Sequence, residues 1–171
     1  MILSALWLLI PCYFANMAPV FGVKAFGKKL IINKRLFGEN KTWTGYSCGV
    51  IAGVIGALIQ GFLYLNFEFF RNISIIDYSS INLIYFGYYL GFAAMFGDLL
   101  KSFIKRRVKI KPGDRFIPFD QIDFVVSAFV FISLIDFPGW PIVISGILAT
   151  FFLHIVVNHI GYFLKLRENR W

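Results

Sequence analysis

Five windows of the chain carry apolar residues almost without interruption, and the polar residues crowd between them. The windows run from Ile2 to Val20, Thr44 to Phe69, Ile81 to Phe103, Ile122 to Ile135 and Trp140 to Leu164. A helix of about 20 apolar residues crosses the hydrocarbon of a bilayer. The pattern therefore predicts an all-α integral membrane protein with about five transmembrane helices, a single polytopic domain over 1–171. The fourth window is short unless it starts nearer Pro118. Continuous rather than alternating apolar runs select helices over a barrel, because every backbone polar group must be satisfied inside lipid. No internal repeat or low-complexity segment competes with this reading.

Composition agrees. A hydrophobic content of 58% over 171 residues is too apolar for a soluble domain of that length to cover its own surface. The few charges lean basic, with seventeen Lys and Arg against nine Asp and Glu, and their placement sets the topology. Lys24, Lys28, Lys29, Lys34, Arg35 and Lys41 follow span one. Lys101, Lys105, Arg106, Arg107, Lys109, Lys111 and Arg115 follow span three, and Lys165, Arg167 and Arg170 end the chain. Only Arg71 falls on the other side. The positive-inside rule makes the crowded face cytoplasmic, with loops at 21–43 and 104–119, the N-terminus outside and the C-terminus cytoplasmic. These basic residues also suit anionic membrane lipids; no nucleic-acid partner is expected. Cys12 and Cys48 lie in apolar runs without metal-ligand or paired spacing, so neither a disulfide nor a zinc site is expected.

Acids embedded in that basic face carry the candidate chemistry. Asp98, Lys101, Ser102 and Lys105 recur at i, i+3, i+4 and i+7, a polar stripe at the inner end of span three, and Asp120 and Asp123 share a face where span four begins. A carboxylate near membrane depth is costly and ordinarily faces a protein-lined cavity. Three aspartates beside Lys105, Arg106 and Lys111 suit a hard cation with a polyphosphate, since magnesium takes one or two carboxylates plus substrate phosphates. A purely structural reading stays open: Asp98 pairing with Lys101 or Ser102 on its own helix, and Asp120 capping span four.

Residues 38–45 form a second cluster, with Lys41, Thr42, Trp43 and Thr44 between glycines just before span two, where helix-start N–H groups can meet an anion. An interfacial Trp43 anchor is the plainer alternative. Asn16 near the inner end of span one is readable as a contact or as a helix terminus. His154, Asn158 and His159 in span five are more ordinarily packing groups, and Glu68 and Asp77 look like boundary residues toward the outer face.

Taken together, Ala15 and Asn16 with Pro19, the stretch from Gly38 to Gly45, Gly97 and Asp98 with Ser102, Lys105 and Arg106, and Pro118 with Asp120, Gln121 and Asp123 make the chain resemble the CDP-archaeol synthases. These are relatives of the CDP-diacylglycerol synthases. The resemblance runs through most of the chain. It implies five membrane helices, Mg2+ dependence, and transfer of CMP from CTP to an isoprenoid ether lipid phosphate, 2,3-bis-O-geranylgeranylglycerol 1-phosphate, with release of pyrophosphate. It also implies roles: Asp98, Asp120 and Asp123 on metal, Lys105 and Arg106 on phosphate, and Asn16 with Lys41, Thr42, Trp43 and Thr44 on nucleotide. The signature of the diacyl enzymes is only partly present. Lys111 is followed by Pro112, Gly113 and Asp114 rather than directly by an acid, and no His-Gly-Gly run occurs. That favours the ether-lipid enzyme over one acting on ester lipid.

The nucleophile in such a reaction is already an anion, so positioning and charge neutralisation suffice. A CDP-alcohol phosphatidyltransferase is excluded by the lack of its Asp-Gly-x-x-Ala-Arg run. A small transporter should gather its polar groups near the midplane and show repeats, and it remains the non-enzyme alternative. A lipid substrate further requires an apolar opening between spans that ends near Asp98 and Lys105. Gly49, Gly53, Gly56 and Gly61 in span two would permit close helix approach.

Overall fold

The computed structural model describes residues 1–27, 30–111 and 114–163, with the side chains of 158 and 160–163 outside that description. Lys28, Lys29, Pro112, Gly113 and the basic tail from Lys165 therefore lie outside the described residues, as do the predicted end of span five at Leu164 and the Asn158 side chain. The described residues form eight helices in order: α1 (Ile2–Leu8), α2 (Ile10–Phe26), α3 (Lys34–Phe37), α4 (Trp43–Asn66), α5 (Glu68–Ile73), α6 (Leu83–Arg107), α7 (Phe119–Ser133) and α8 (Trp140–Phe163). Among the described residues there is no strand, only an isolated bridge between Ile31 and Thr42.

The first window folds as two helices bent by 53°. Pro11 has no N–H to give the carbonyl of Trp7 and its ring crowds that position. The buried Gln60 of α4 donates its Nε2 to the Trp7 carbonyl instead. Among the described residues three helices, α4, α6 and α8, are long and apolar enough to cross a membrane, and the bent pair of α1 and α2 makes a fourth if it is taken as one span. α7, in the fourth window, has 15 residues, about 22 Å of helix against a hydrocarbon thickness of about 30 Å. It is short because it starts at the aspartates and ends ahead of Pro138.

α6 is the axis of the bundle, packed on α2, α3, α4 and α7, while α8 covers α1 and α7. The core draws on Leu8, Leu9 and Cys12 from the first pair, Leu90 and Ala94 from α6, Phe124, Val125 and Phe129 from α7, and Ile142 from α8. Large residues such as Ile51, Ile55 and Phe62 of α4 face outward, while Gly49, Gly53 and Gly56 of the same helix are buried. Lipid gives helices no hydrophobic reason to associate, so close van der Waals contact between small residues does the joining. At Gly53 an added Cβ would lie 2.7 Å from Gly91 Cα and 2.8 Å from the Gly87 carbonyl. This crossing fixes α4 against α6 and so aligns the start of α4 with the end of α6.

Candidate active site

The C-terminal ends of α2 and α6 and the N-terminal ends of α4 and α7 meet at one end of the bundle, with α3 beside them. Gly97 sets the α6 to α7 spacing there: a Cβ would meet the Asp123 carbonyl oxygen and Ser127 Cβ, each at 2.6 Å. Ser127 Oγ donates to the Ala93 carbonyl at 2.6 Å and holds the same contact from the other side. This approach carries the acids of α7 onto the polar stripe of α6.

Asp98, Asp120 and Asp123 converge on the ammonium of Lys101. Its Nζ lies 3.2 Å from Asp98 Oδ1, 3.5 Å from Asp120 Oδ1 and 2.9 Å from Asp123 Oδ2. Asp98 is also paired with Lys41, contributed from the loop ahead of α4. Lys105 donates to both Asp120 oxygens at 3.1 Å and to the Asp114 carbonyl at 2.5 Å. Asp120 Oδ2 further accepts from the Phe116 N–H at 2.6 Å. Three carboxylates thus face three ammonium groups, and the cluster is formally neutral. Although Asp123 Oδ2 is ion-paired with Lys101, it is buried and accepts no aligned hydrogen bond. Arg106 Nε is likewise buried without a hydrogen-bond partner.

Lys101 is the residue that sequence reasoning underweighted. The i, i+3 spacing placed it beside Asp98, but its position among all three acids depends on the approach of α7 at Gly97. Asp114 enters through its backbone carbonyl, its side chain being exposed.

A small cavity of about 40 Å3 adjoins Asp98 and is lined by Pro19, Asn40, Lys41, Thr42, Gly45 and Tyr46 among others. It has room for water rather than a nucleotide, and the Lys41 to Asp98 pair spans it. Thr42 caps α4, its Oγ1 accepting from the Gly45 N–H at 3.1 Å. Trp43 is exposed with its ring edge-on to Tyr46, and Thr44 is half-buried. Asn16 sits on α2 just ahead of Pro19, outside the cavity lining. His154 and His159 belong to α8, which contributes no residue to this cavity. His159 Nδ1 lies 2.8 Å from the Ile155 carbonyl of its own helix.

On the other side of the cluster a groove of about 260 Å3 runs between α6 and α7, with Lys101 and Asp123 at its polar end. The opening expected near Asp98 and Lys105 is thus headed by Asp123 and Lys101. Its walls include Phe96, Leu100, Ile104, Val126 and Val130, all partly exposed on the outer surface of the bundle, so the groove opens sideways.

Among the described residues no three His, Cys, Asp or Glu side chains are grouped to hold a metal ion by themselves. Magnesium asks for less: one or two carboxylates, with phosphate oxygens and water completing the shell. The carboxylate oxygens that converge on the Lys101 ammonium, Asp123 Oδ2 among them, suit that requirement.

In fold, the chain is similar to a solved structure described as an intramembrane enzyme for archaeal membrane lipids biosynthesis. The TM-score is 0.69 at 24% identity, over 92% of this chain and 94% of that one. The class is therefore that of a helical, multi-pass membrane protein. The CarS-like family, described as CDP-archaeol synthase, matches residues 1–171. The CDP-archaeol synthase of Archaeoglobus fulgidus is 38% identical over 100% of this chain and 98% of its own length. That of Methanopyrus kandleri is 36% identical over 98% of this chain and 92% of its own. The chain belongs to the CDP-archaeol synthase family.

Proposed function

We propose that the chain is the cytidylyltransferase its family membership indicates, moving CMP from CTP to 2,3-bis-O-geranylgeranylglycerol 1-phosphate and releasing pyrophosphate. The observation that carries this reading is the neutral cluster of three aspartates and three lysines, placed between a polar cavity and a groove that opens sideways. A water-soluble triphosphate and a membrane-bound phosphate can meet only at such a boundary.

Each carboxylate of the cluster is already matched by a lysine, and each lysine can exchange that carboxylate for a phosphate oxygen. Triphosphate binding requires Lys41 to leave Asp98, which also opens the small cavity beside the start of α4. Lys101 and Lys105 then face the lipid phosphate at the head of the groove and screen the repulsion between two anions as they approach. Arg106, with its unpartnered Nε, is a further phosphate contact. Mg2+ would be held by Asp98, Asp120 and Asp123 and would supply neutralisation of the triphosphate charge. With attacking and leaving groups already ionised, the residues have no proton to move, and their work is orientation. Asn16, Trp43 and Thr44 are retained as nucleotide contacts on the resemblance of their motifs alone.

In the membrane we place five spans, counting α7, with the N-terminus outside and this cluster on the cytoplasmic side. The basic residues at the cluster end of the bundle support that orientation. Cysteine-accessibility labelling should find Lys34 and Arg107 on the same, cytoplasmic side; opposite sides would dismantle the composite site. The activity itself is tested by incubating the purified protein with CTP labelled at the α-phosphate and with ether- or ester-linked lipid phosphates. Label should enter the ether lipid preferentially, and absence of transfer to either would overturn the reading.

A further inference from the structure

Apolar side chains continue past the charged pair that heads the groove. α6 and α7 run antiparallel, with Gly97 against Ser127 and Lys105 against Asp120, so the helix ends nearest the cluster prolong both walls beyond Lys101 and Asp123. Ile104 prolongs one wall, Phe119 the other, and Phe116 joins them from the segment before α7. Phe119 lies four residues ahead of Asp123, about 6 Å along the helix. Its ring stacks on that of Phe116, with centroids 4.7 Å apart and planes 25° apart. Phe119 is half exposed, yet the Asp123 side chain one turn further in keeps only 5% of its surface. The aromatic pair is also fastened to the cluster. The Phe116 N–H donates to Asp120 Oδ2 at 2.6 Å, and the Asp114 carbonyl two residues earlier accepts from Lys105 at 2.5 Å. Asp120 turns Oδ1 to Lys101, so an exchange at Oδ1 leaves the Phe116 anchor in place.

We propose that Phe116 and Phe119 form a lip that closes the groove toward water, so that the place from which CTP is attacked is reached sideways by a lipid phosphate and not by water or a soluble phosphate. This rests on the reading that the lipid lies in the α6 to α7 groove and CTP on the cavity side of the cluster. In-line displacement at the α-phosphorus requires the nucleophile to enter opposite the departing pyrophosphate. With CTP on the cavity side, that entrance is the head of the groove. Water there would give hydrolysis: its oxygen bonds to the α-phosphorus, the bridging bond to the β-phosphate breaks, CMP and pyrophosphate leave, and the water protons pass to pyrophosphate or solvent. A soluble phosphate would give a water-soluble cytidine diphosphate ester by the same change of bonds. Either must pass two stacked rings and Ile104, where hydration is lost without a replacement partner. A lipid phosphate enters from the side, and burial of its chains offsets that loss. An interfacial anchor would be Trp or Tyr, with a polar tip among the headgroups; two stacked phenylalanines have none. Shutting water out of the attacking position suppresses the side reaction.

The test uses the full-length protein in one detergent with CTP labelled at the α-phosphate, offered alone, with glycerol 1-phosphate, or with the ether lipid phosphate. Labelled CMP, cytidine diphosphate glycerol and the extractable lipid product are counted separately. In Phe116→Ala/Phe119→Ala, CMP release without acceptor and kcat/KM for glycerol 1-phosphate should each rise about tenfold or more, on the scale at which apolar pockets discriminate. kcat/KM for the lipid should stay within about threefold of the wild type. Phe116→Leu/Phe119→Leu keeps the lip apolar and should behave as the wild type does. Thermal melts check folding, and Phe119→Ala alone is the milder substitute if the double variant melts early. Either leak left at the wild-type level in the folded alanine variant overturns the lip. So does an equal loss with every acceptor, which marks a structural role, or a leucine pair that leaks as freely as the alanine pair. Val126→Trp, which narrows the groove inside the lip, tests the underlying reading apart. It should raise the lipid KM about tenfold while leaving the thermal shift caused by CTP intact. An unchanged lipid KM would sink the groove and the lip together, whereas a raised KM with no leak in the alanine variant would sink the lip alone.

Discussion

The two ends of the helical bundle satisfy their polar groups in opposite ways. Away from the cluster, Asp77 accepts from the Ser79 N–H at 2.9 Å, the Ser79 hydroxyl at 2.5 Å and the Tyr64 hydroxyl at 3.1 Å. Arg71 donates to the carbonyls of Tyr64 and Leu65 at 3.2 and 3.0 Å. These partners are uncharged and close in sequence, and they form with the local backbone. At the other end, Asp98 and Asp123 are matched by lysine ammonium groups, with Lys41 reaching Asp98 from another helix-loop segment 57 residues away. Asp120 adds one backbone N–H to its two lysines. Neutral local bonds leave nothing for a ligand to exchange, whereas charged pairs between elements can be traded for a cation and an anion without a change in net charge. One end is built to stay as it is; under the proposed function the other is rearranged by substrate.

The largest effect should come from Lys101. Lys101→Met leaves three carboxylates facing one another, and removing one partner of a buried ion pair costs about 3–5 kcal/mol. Thermal and denaturant melts in detergent should show a loss of that order, with transfer activity falling by about a thousandfold or more. A mild change in stability would mean that the acids are solvated rather than paired. Gly97→Ala comes next. Its methyl group enters the space of the Asp123 carbonyl and Ser127 Cβ, an overpacking cost of about 1–3 kcal/mol. Because Asp123 is displaced, kcat should fall more than CTP affinity does; equal losses in both would show that the crossing supports the fold but does not position the acid.

Asp77→Asn should do least, and through stability alone. Hydrogen bonds from the Ser79 side chain and backbone hold the Asp77 carboxyl below the usual aspartate value of 3.8. A depressed folded-state pKa contributes stability above the unfolded value, and the contribution is lost as pH falls through the folded one. The melting difference between wild type and Asp77→Asn should therefore be present at neutral pH and fade in the acid range, with transfer activity unchanged. A drop in activity would break the division between the two ends.

Helical membrane architecture was legible because lipid exposure forces continuous apolar runs. The stripe from Asp98 to Lys105 was legible because helical spacing is fixed. What sequence could not give is the meeting of two helices. The central place of Lys101, the reach of Lys41 to Asp98, and the heading of the groove by Asp123 all follow from the α6 to α7 contact at Gly97 and the α4 to α6 contact at Gly53. The bend at Pro11 carried a visible signal in the proline itself, but the compensating donor, Gln60, comes from another helix.

The central claim is that the carboxylates of the exchangeable end hold the metal that accompanies CTP. Transfer of label from CTP to the ether lipid phosphate, followed as Mg2+ is titrated, compares the wild type with Asp123→Asn most directly. The wild type should saturate with Mg2+, while Asp123→Asn, melting lower but still folded because Lys101 keeps Asp98 and Asp120 as partners, should stay about a thousandfold lower at every concentration. A folded Asp123→Asn protein with the wild-type Mg2+ dependence and rate would contradict the account.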